Sequence, residues 1–205
     1  MKNVVIYVHG KGGTAEEAKH YKNLFKEADV KGFEYTSEYP WDFQKEFSNF
    51  FNDISSKYKR ISIIANSIGA YYTMISLNKD IEKAFFISPI VDMEKLITDM
   101  MFLENITEEE LYKKKEIKTS FGEILSWKYL TFVRENPIQW NVSTYILYGE
   151  KDNITSYETI LNFTNKSKAS LTVMKNGEHW FHTDEQMKFL DNWIKRECRK
   201  KSVNC

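Results

Sequence analysis

The chain has 205 residues, 42% of them hydrophobic and 15% aromatic, enough for one well-buried α/β domain with a modest insertion. Lys plus Arg and Asp plus Glu both number 29, and that zero formal balance argues against nucleic acid or an anionic membrane surface as partner. The only cysteines, Cys198 and Cys205, give no disulfide framework or metal cluster and read as free thiols on a mobile basic tail.

Val4 to Val8 is a continuous apolar run and reads as a buried strand. The run is too short for a signal-peptide core, and no stretch is long enough to span a bilayer, so a cytoplasmic protein without membrane contact is expected. His9-Gly10-Lys11-Gly12-Gly13 follows as a glycine-rich loop, without the spacing of a dinucleotide fingerprint or a P-loop. Thr14 is placed to cap a helix with Ala15, Ala18, Tyr21, Leu24, Phe25 and Ala28 on one stripe, ahead of a short strand from Gly32 to Thr36. After Pro40-Trp41, Phe43, Phe47, Phe50, Phe51, Ile54 and Tyr58 recur at spacings of three and four, the cleanest amphipathic helix in the chain. A third strand starts at Ile61, a buried helix covers Ala70 to Leu77, and Ala84 to Ile87 forms a fourth strand.

The alternation then lapses, and about 91–137 reads as an insertion. Met93 to Leu103 suits one helix, Thr107-Glu-Glu-Glu110 opens a second as a capping box, and Ser126 caps a third. Ile117 to Leu125 is open between readings, one of them two short extended arms joined by a Ser-Phe-Gly turn. The sheet pattern resumes with a strand from Val142 to Tyr148, a helix from Ser156 to Phe163, a strand from Ser170 to Val173 and a last helix around Met187 to Ile194. This pattern predicts an α/β fold: an open, mostly parallel six-stranded sheet with helices on both faces, in one domain bearing a helical cap insertion. Sites in such sheets form at the carboxyl ends of the strands.

Polar residues gather at those ends. Ala65-Asn66-Ser67-Ile68-Gly69 places a serine between small residues on a tight strand-to-helix turn, the pattern of a nucleophile elbow. A plain helix cap is the bland alternative for Ser67. Asp152 follows Tyr148-Gly149-Glu150-Lys151, and His179 lies in Gly177-Glu178-His179-Trp180 after the last strand. With His9-Gly10 after the first strand, these four loops make the chain resemble the α/β-hydrolase family, especially small bacterial esterase-like members. In that family the chain order is Ser, Asp, His. The departures are Ala65 for the first elbow glycine and the lack of the family's two leading strands. The resemblance implies a reduced fold with strand order 2-1-3-4-5-6.

It also implies acyl transfer to water. Ser67 would be the nucleophile, His179 its base and then the acid, and Asp152 the residue that fixes the imidazole. The backbone N–H groups of Ile68 and Lys11 would form the oxyanion hole. Asp92 is the rival acid, just past the fourth strand, and His182 the rival base, three residues beyond His179. Met100, Met101, Phe102, Trp127 and Trp140 are candidates for either an acyl pocket or core packing. No cofactor and no metal enter this reading, and the partner is a small acyl substrate, an ester or thioester. Amide, lactone or carbon–carbon cleavage by the same residues is a further possibility, as is a catalytically silent binding module.

Overall fold

The computed structural model describes residues 2–77 and 81–199. The chain forms two compact units, one from Met1–Val91 with Gln139–Cys205 and one from Asp92–Ile138.

The larger unit is built on six strands: β1 (Asn3–Val8), β2 (Ala28–Phe33), β3 (Arg60–Asn66), β4 (Lys83–Ile87), β7 (Thr144–Gly149) and β8 (Ser170–Met174). They lie in the order β2-β1-β3-β4-β7-β8, and every pair is parallel. Counting sheet strands alone, that is the expected 2-1-3-4-5-6. Parallel pairing needs crossovers, and the helices that supply them bury both faces. Strand side chains alternate between those faces. Val5, Tyr7, Ile64, Phe85, Ile87, Tyr145 and Leu147 pack with residues of α1 (Ala18–Tyr21) and with Leu190, Trp193 and Ile194 of α8 (Asp184–Arg199). Elsewhere an aromatic cluster joins Phe33 of β2, Phe43 and Phe47 of α2 (Pro40–Ser55) and Tyr72 of α3 (Ile68–Ser76), with ring centroids 4.7 to 5.5 Å apart. The stripe that marked α2 in the sequence is its buried face: Phe43, Phe47, Phe51 and Ile54. Helix α7 (Tyr157–Ser167) lies between β7 and β8 in the chain, capped by the Ser156 side chain.

Two local expectations differ from the structure. The first helix is a single 3-10 turn at Ala15–Glu17 followed by the four residues of α1, and β2 begins at Ala28 rather than Gly32. The ladder with β1 explains this: six residues pair in register, from Asn3 opposite Ala28 to Val8 opposite Phe33. The ladder satisfies backbone groups that a helix extended through Ala28 would have withheld. The second difference is the tail. Helix α8 runs on to Arg199 and buries Cys198, because Leu190, Trp193, Ile194 and Cys198 continue one stripe into the core. Cys205 lies outside the described residues.

The smaller unit holds α4 (Met93–Leu103), α5 (Glu108–Lys114), an antiparallel hairpin of β5 (Glu116–Lys118) and β6 (Ile124–Ser126), and α6 (Trp127–Glu135). The open stretch around Ile117 to Leu125 is thus two extended arms. Thr107 and Ser126 cap α5 and α6 through their side chains. Arg134 of α6 ties this unit together, donating to Glu94 at 2.7 Å and to both carboxylate oxygens of Glu108 at 2.6 and 2.9 Å. Met101 is buried and Phe102 exposed. Trp140 belongs to the larger unit and is core there, 5.6 Å from the Phe86 ring with its indole N–H on Thr144. Among the described residues no helix is long and apolar enough to cross a membrane.

Trp193 is 1% exposed and meets Phe85 edge-on at 6.0 Å, joining α8 to the sheet. Trp193→Ala is expected to lower the unfolding free energy by about 3–5 kcal/mol, read as a lower urea midpoint.

Candidate active site

The site begins at the end of β3. Asn66 closes the strand, Ile68 opens α3, and Ser67 between them has φ 51° and ψ −122°. A non-glycine residue at positive φ costs on the order of 1–3 kcal/mol and persists only where its surroundings impose it. Here both backbone groups are pinned. Ser67 N–H donates to Ile87 O at 3.0 Å, and Ser67 O accepts from Ala70 N–H and Ile90 N–H, each at 3.1 Å. Gly69 is required at the start of α3, since a Cβ there would lie 2.4 Å from His9 O. Ala65 is fully buried and paired with Val8 and Phe86, so this one-carbon departure from the elbow pattern is accommodated in the sheet.

Two further loops converge on Ser67. Its Oγ lies 2.9 Å from His179 Nε2, and His179 Nδ1 lies 2.7 Å from Asp152 Oδ2. The other Asp152 oxygen accepts the N–H groups of Ile154 and Thr155 at 2.8 and 3.0 Å. A carboxylate so placed can only accept, so the imidazole proton sits on Nδ1. Nε2 then presents its lone pair to the serine hydroxyl. The Asp152 side chain is 0% exposed and that of His179 13%, so water competes little for the pair. Burial and then the Asp152 charge hold the Tyr148 hydroxyl above its ordinary pKa, and it donates to Thr155 O at 2.9 Å.

What joins the Asp152 and His179 loops is backbone. Glu150 N–H donates to Met174 O at 3.0 Å, Lys151 N–H to Gly177 O at 2.7 Å, and the Glu150 carboxylate accepts Asn176 N–H at 2.9 Å. The chains approach so closely that a Cβ on Gly149 would fall 2.4 Å from Glu178 O. This zip was the part that sequence reasoning missed; its signal was Gly149 at the end of one strand and Gly177 just past the next.

The expected oxyanion donors belong to two segments next to the serine, the start of α3 and the loop after β1. Ile68 N–H is among the first of α3, where an α-helix has no internal acceptors to offer. Lys11 sits in a turn closed by Gly13 N–H on Gly10 O at 3.1 Å, and a Cβ on Gly10 would lie 3.2 Å from Ser67 Cβ. His9 is buried beneath that turn, stacked on Tyr35 at 4.1 Å, with Nδ1 2.8 Å from Gly10 O. Tyr35 in turn donates its hydroxyl to His9 O at 2.8 Å.

The rivals have other partners. Asp92 caps α4 in the smaller unit, accepting Lys95 N–H at 2.9 Å. His182 places Nδ1 2.7 Å from Trp180 O and stacks on the Trp180 ring, which orders the loop beyond His179. Among the described residues no three His, Cys, Asp or Glu side chains gather as metal ligands would.

No protein-family model and no curated protein matches the chain. Solved structures do. Est1E from Butyrivibrio proteoclasticus superposes with a TM-score of 0.74 at 17% identity, over 96% of this chain and 86% of that one. The chain has the α/β-hydrolase fold, in reduced form. A lipase-esterase related protein from Clostridium acetobutylicum is similar at a TM-score of 0.65 and 14% identity, covering 95% of this chain and 93% of its own. The esterase domain of a Rhodothermus marinus protein is similar at 0.67 and 9% identity, covering 97% and 87%.

The bond between His179 and Asp152 predicts a downfield imidazole proton in the ¹H NMR spectrum. Asp152→Asn should abolish that resonance and Asp92→Asn should retain it.

Proposed function

We propose that the chain is a serine hydrolase that cleaves a small carboxylic ester or thioester. The observation that carries this reading is the continuous relay of Ser67, His179 and the buried Asp152, at 2.9 and 2.7 Å, on an α/β-hydrolase fold. A serine hydroxyl is a weak nucleophile until a neighbouring base takes its proton. His179 Nε2 is that base. As Ser67 Oγ bonds to the acyl carbon, its proton passes to Nε2, and Asp152 stabilises the imidazolium that results.

The carbonyl oxygen gains the negative charge of the tetrahedral intermediate and takes the N–H groups of Ile68 and Lys11. Fixed donors of this kind cost no reorganisation when the charge forms, and each supplies roughly 3 kcal/mol. The intermediate collapses as His179 returns the proton to the leaving alkoxide or thiolate. Water then attacks the acyl-serine by the reverse sequence, restoring Ser67. The scheme assigns no step to a cofactor or metal. Est1E has been solved with ferulic acid bound, so an aromatic acyl group belongs in the substrate panel beside straight chains.

A panel of p-nitrophenyl esters from acetate to octanoate, with methyl ferulate, tests the reading. Wild type should turn over one or more of them, with a burst of one nitrophenolate per chain wherever deacylation is slow. Ser67→Ala should abolish the burst, and Asp152→Asn should lower kcat by about 10⁴-fold. Hydrolysis by Ser67→Ala at the wild-type rate would overturn it.

A further inference from the structure

His179 lies in the loop between β8 and α8, and that loop is anchored on both sides of it. Upstream, Lys151 N–H donates to Gly177 O, and Glu178 O lies where a Cβ on Gly149 could not fit. Downstream, Phe181 is 6% exposed and packs in the core of the larger unit. One side chain that the scheme above does not use connects the two sides. Gln186 is the third residue of α8 and is 6% exposed. Its Oε1 accepts His182 N–H at 3.1 Å, and its Nε2 donates to Glu178 Oε2 at 3.3 Å.

The amide thus spends its oxygen on the chain after His179 and its nitrogen on the residue before it. Gln186 is itself set by the first turn of α8: its N–H donates to Thr183 Oγ1 at 3.3 Å, and Met187 N–H donates to Thr183 O at 2.8 Å. His182 tightens the same loop. A carbonyl only accepts, so His182 Nδ1 carries the proton it gives to Trp180 O at 2.7 Å. Glu178, Gln186, His182 and Trp180 therefore close a ring of contacts around His179. A buried amide is costly to leave unpaired, so the loop keeps the shape that satisfies both of its ends.

We propose that Gln186 is a positioning residue for His179: by joining Glu178 to His182 it holds the imidazole where both ring nitrogens are engaged. The need is strict, since Nε2 must meet Ser67 Oγ at 2.9 Å while Nδ1 meets Asp152 Oδ2 at 2.7 Å. Misplacement by about 1 Å costs on the order of a hundredfold in rate. The geometry stands without the hydrolase reading, but its kinetic consequence rests on it.

The test compares Gln186→Glu with the exchange Glu178→Gln/Gln186→Glu. The single variant keeps an acceptor for His182 N–H but sets a carboxylate against Glu178. The exchange reverses the direction of that second bond, so both bonds survive and the net charge is that of wild type. On the best nitrophenyl ester, Gln186→Glu should lower kcat by about ten- to a hundredfold with KM within about twofold. The exchange should recover kcat to within about threefold of wild type, the coupling expected of two groups in contact. The second readout is independent of activity. The sequence holds four histidines, so ¹⁵N-histidine labelling gives four sets of imidazole signals, and the set lost in His179→Ala belongs to His179. Gln186→Glu should move that set, and the exchange should return it. Either readout unmoved in Gln186→Glu, or not recovered in the exchange, overturns the proposal. A wild-type protein that hydrolyses no ester sinks the hydrolase reading instead, and the imidazole signals still decide whether Gln186 positions His179. Should Gln186→Glu not fold, Glu178→Ala opens the ring from its exposed end and must move both readouts.

Discussion

A single proton, held on Nδ1 of His179 by a carboxylate that water does not reach, decides what the opposite ring nitrogen offers to Ser67. Were the proton on Nε2, the ring would donate to the serine hydroxyl rather than accept from it. Asp152 can impose the tautomer because its own geometry is overdetermined: one oxygen takes two backbone N–H groups and the other faces the imidazole. The ordering cost is met during folding, before any substrate arrives.

The parallel sheet makes this convergence possible. Strands that all run one way deliver their C-terminal loops to one edge, and β1, β3, β7 and β8 each contribute a loop there. The close packing has a local cost. Ser67 sits at positive φ, and Gly149 has no room for a side chain. Both are held by backbone hydrogen bonds to neighbouring strand ends, so the strain is spread over the sheet rather than borne by flexible side chains.

Much of this was legible in the sequence because the governing signals are local. The Phe43, Phe47, Phe51, Ile54 stripe marks α2, the β-branched run into Ala65-Asn66-Ser67 marks strand and turn, and a glycine stands near each polar loop. What was not legible depends on partners distant in the chain. The start of β2 at Ala28 is set by its ladder with β1, which no local propensity encodes. Asp92 and Asp152 both follow strands, and only the backbone zip from Glu150 and Lys151 to Met174 and Gly177 separates their roles. Cys198 read as tail because its neighbours are charged, yet it ends the buried stripe of α8. Tyr7 read as one more apolar strand residue, since the Glu17 carboxylate that takes its hydroxyl proton lies on another element.

The most direct measurement of the central claim is stoichiometric labelling with a fluorophosphonate, followed by peptide mass spectrometry. An activated serine should give one adduct per folded chain, on Ser67, and none in His179→Ala over the same interval. A folded wild-type protein that stays unlabelled, or an adduct on any other residue, would contradict the account.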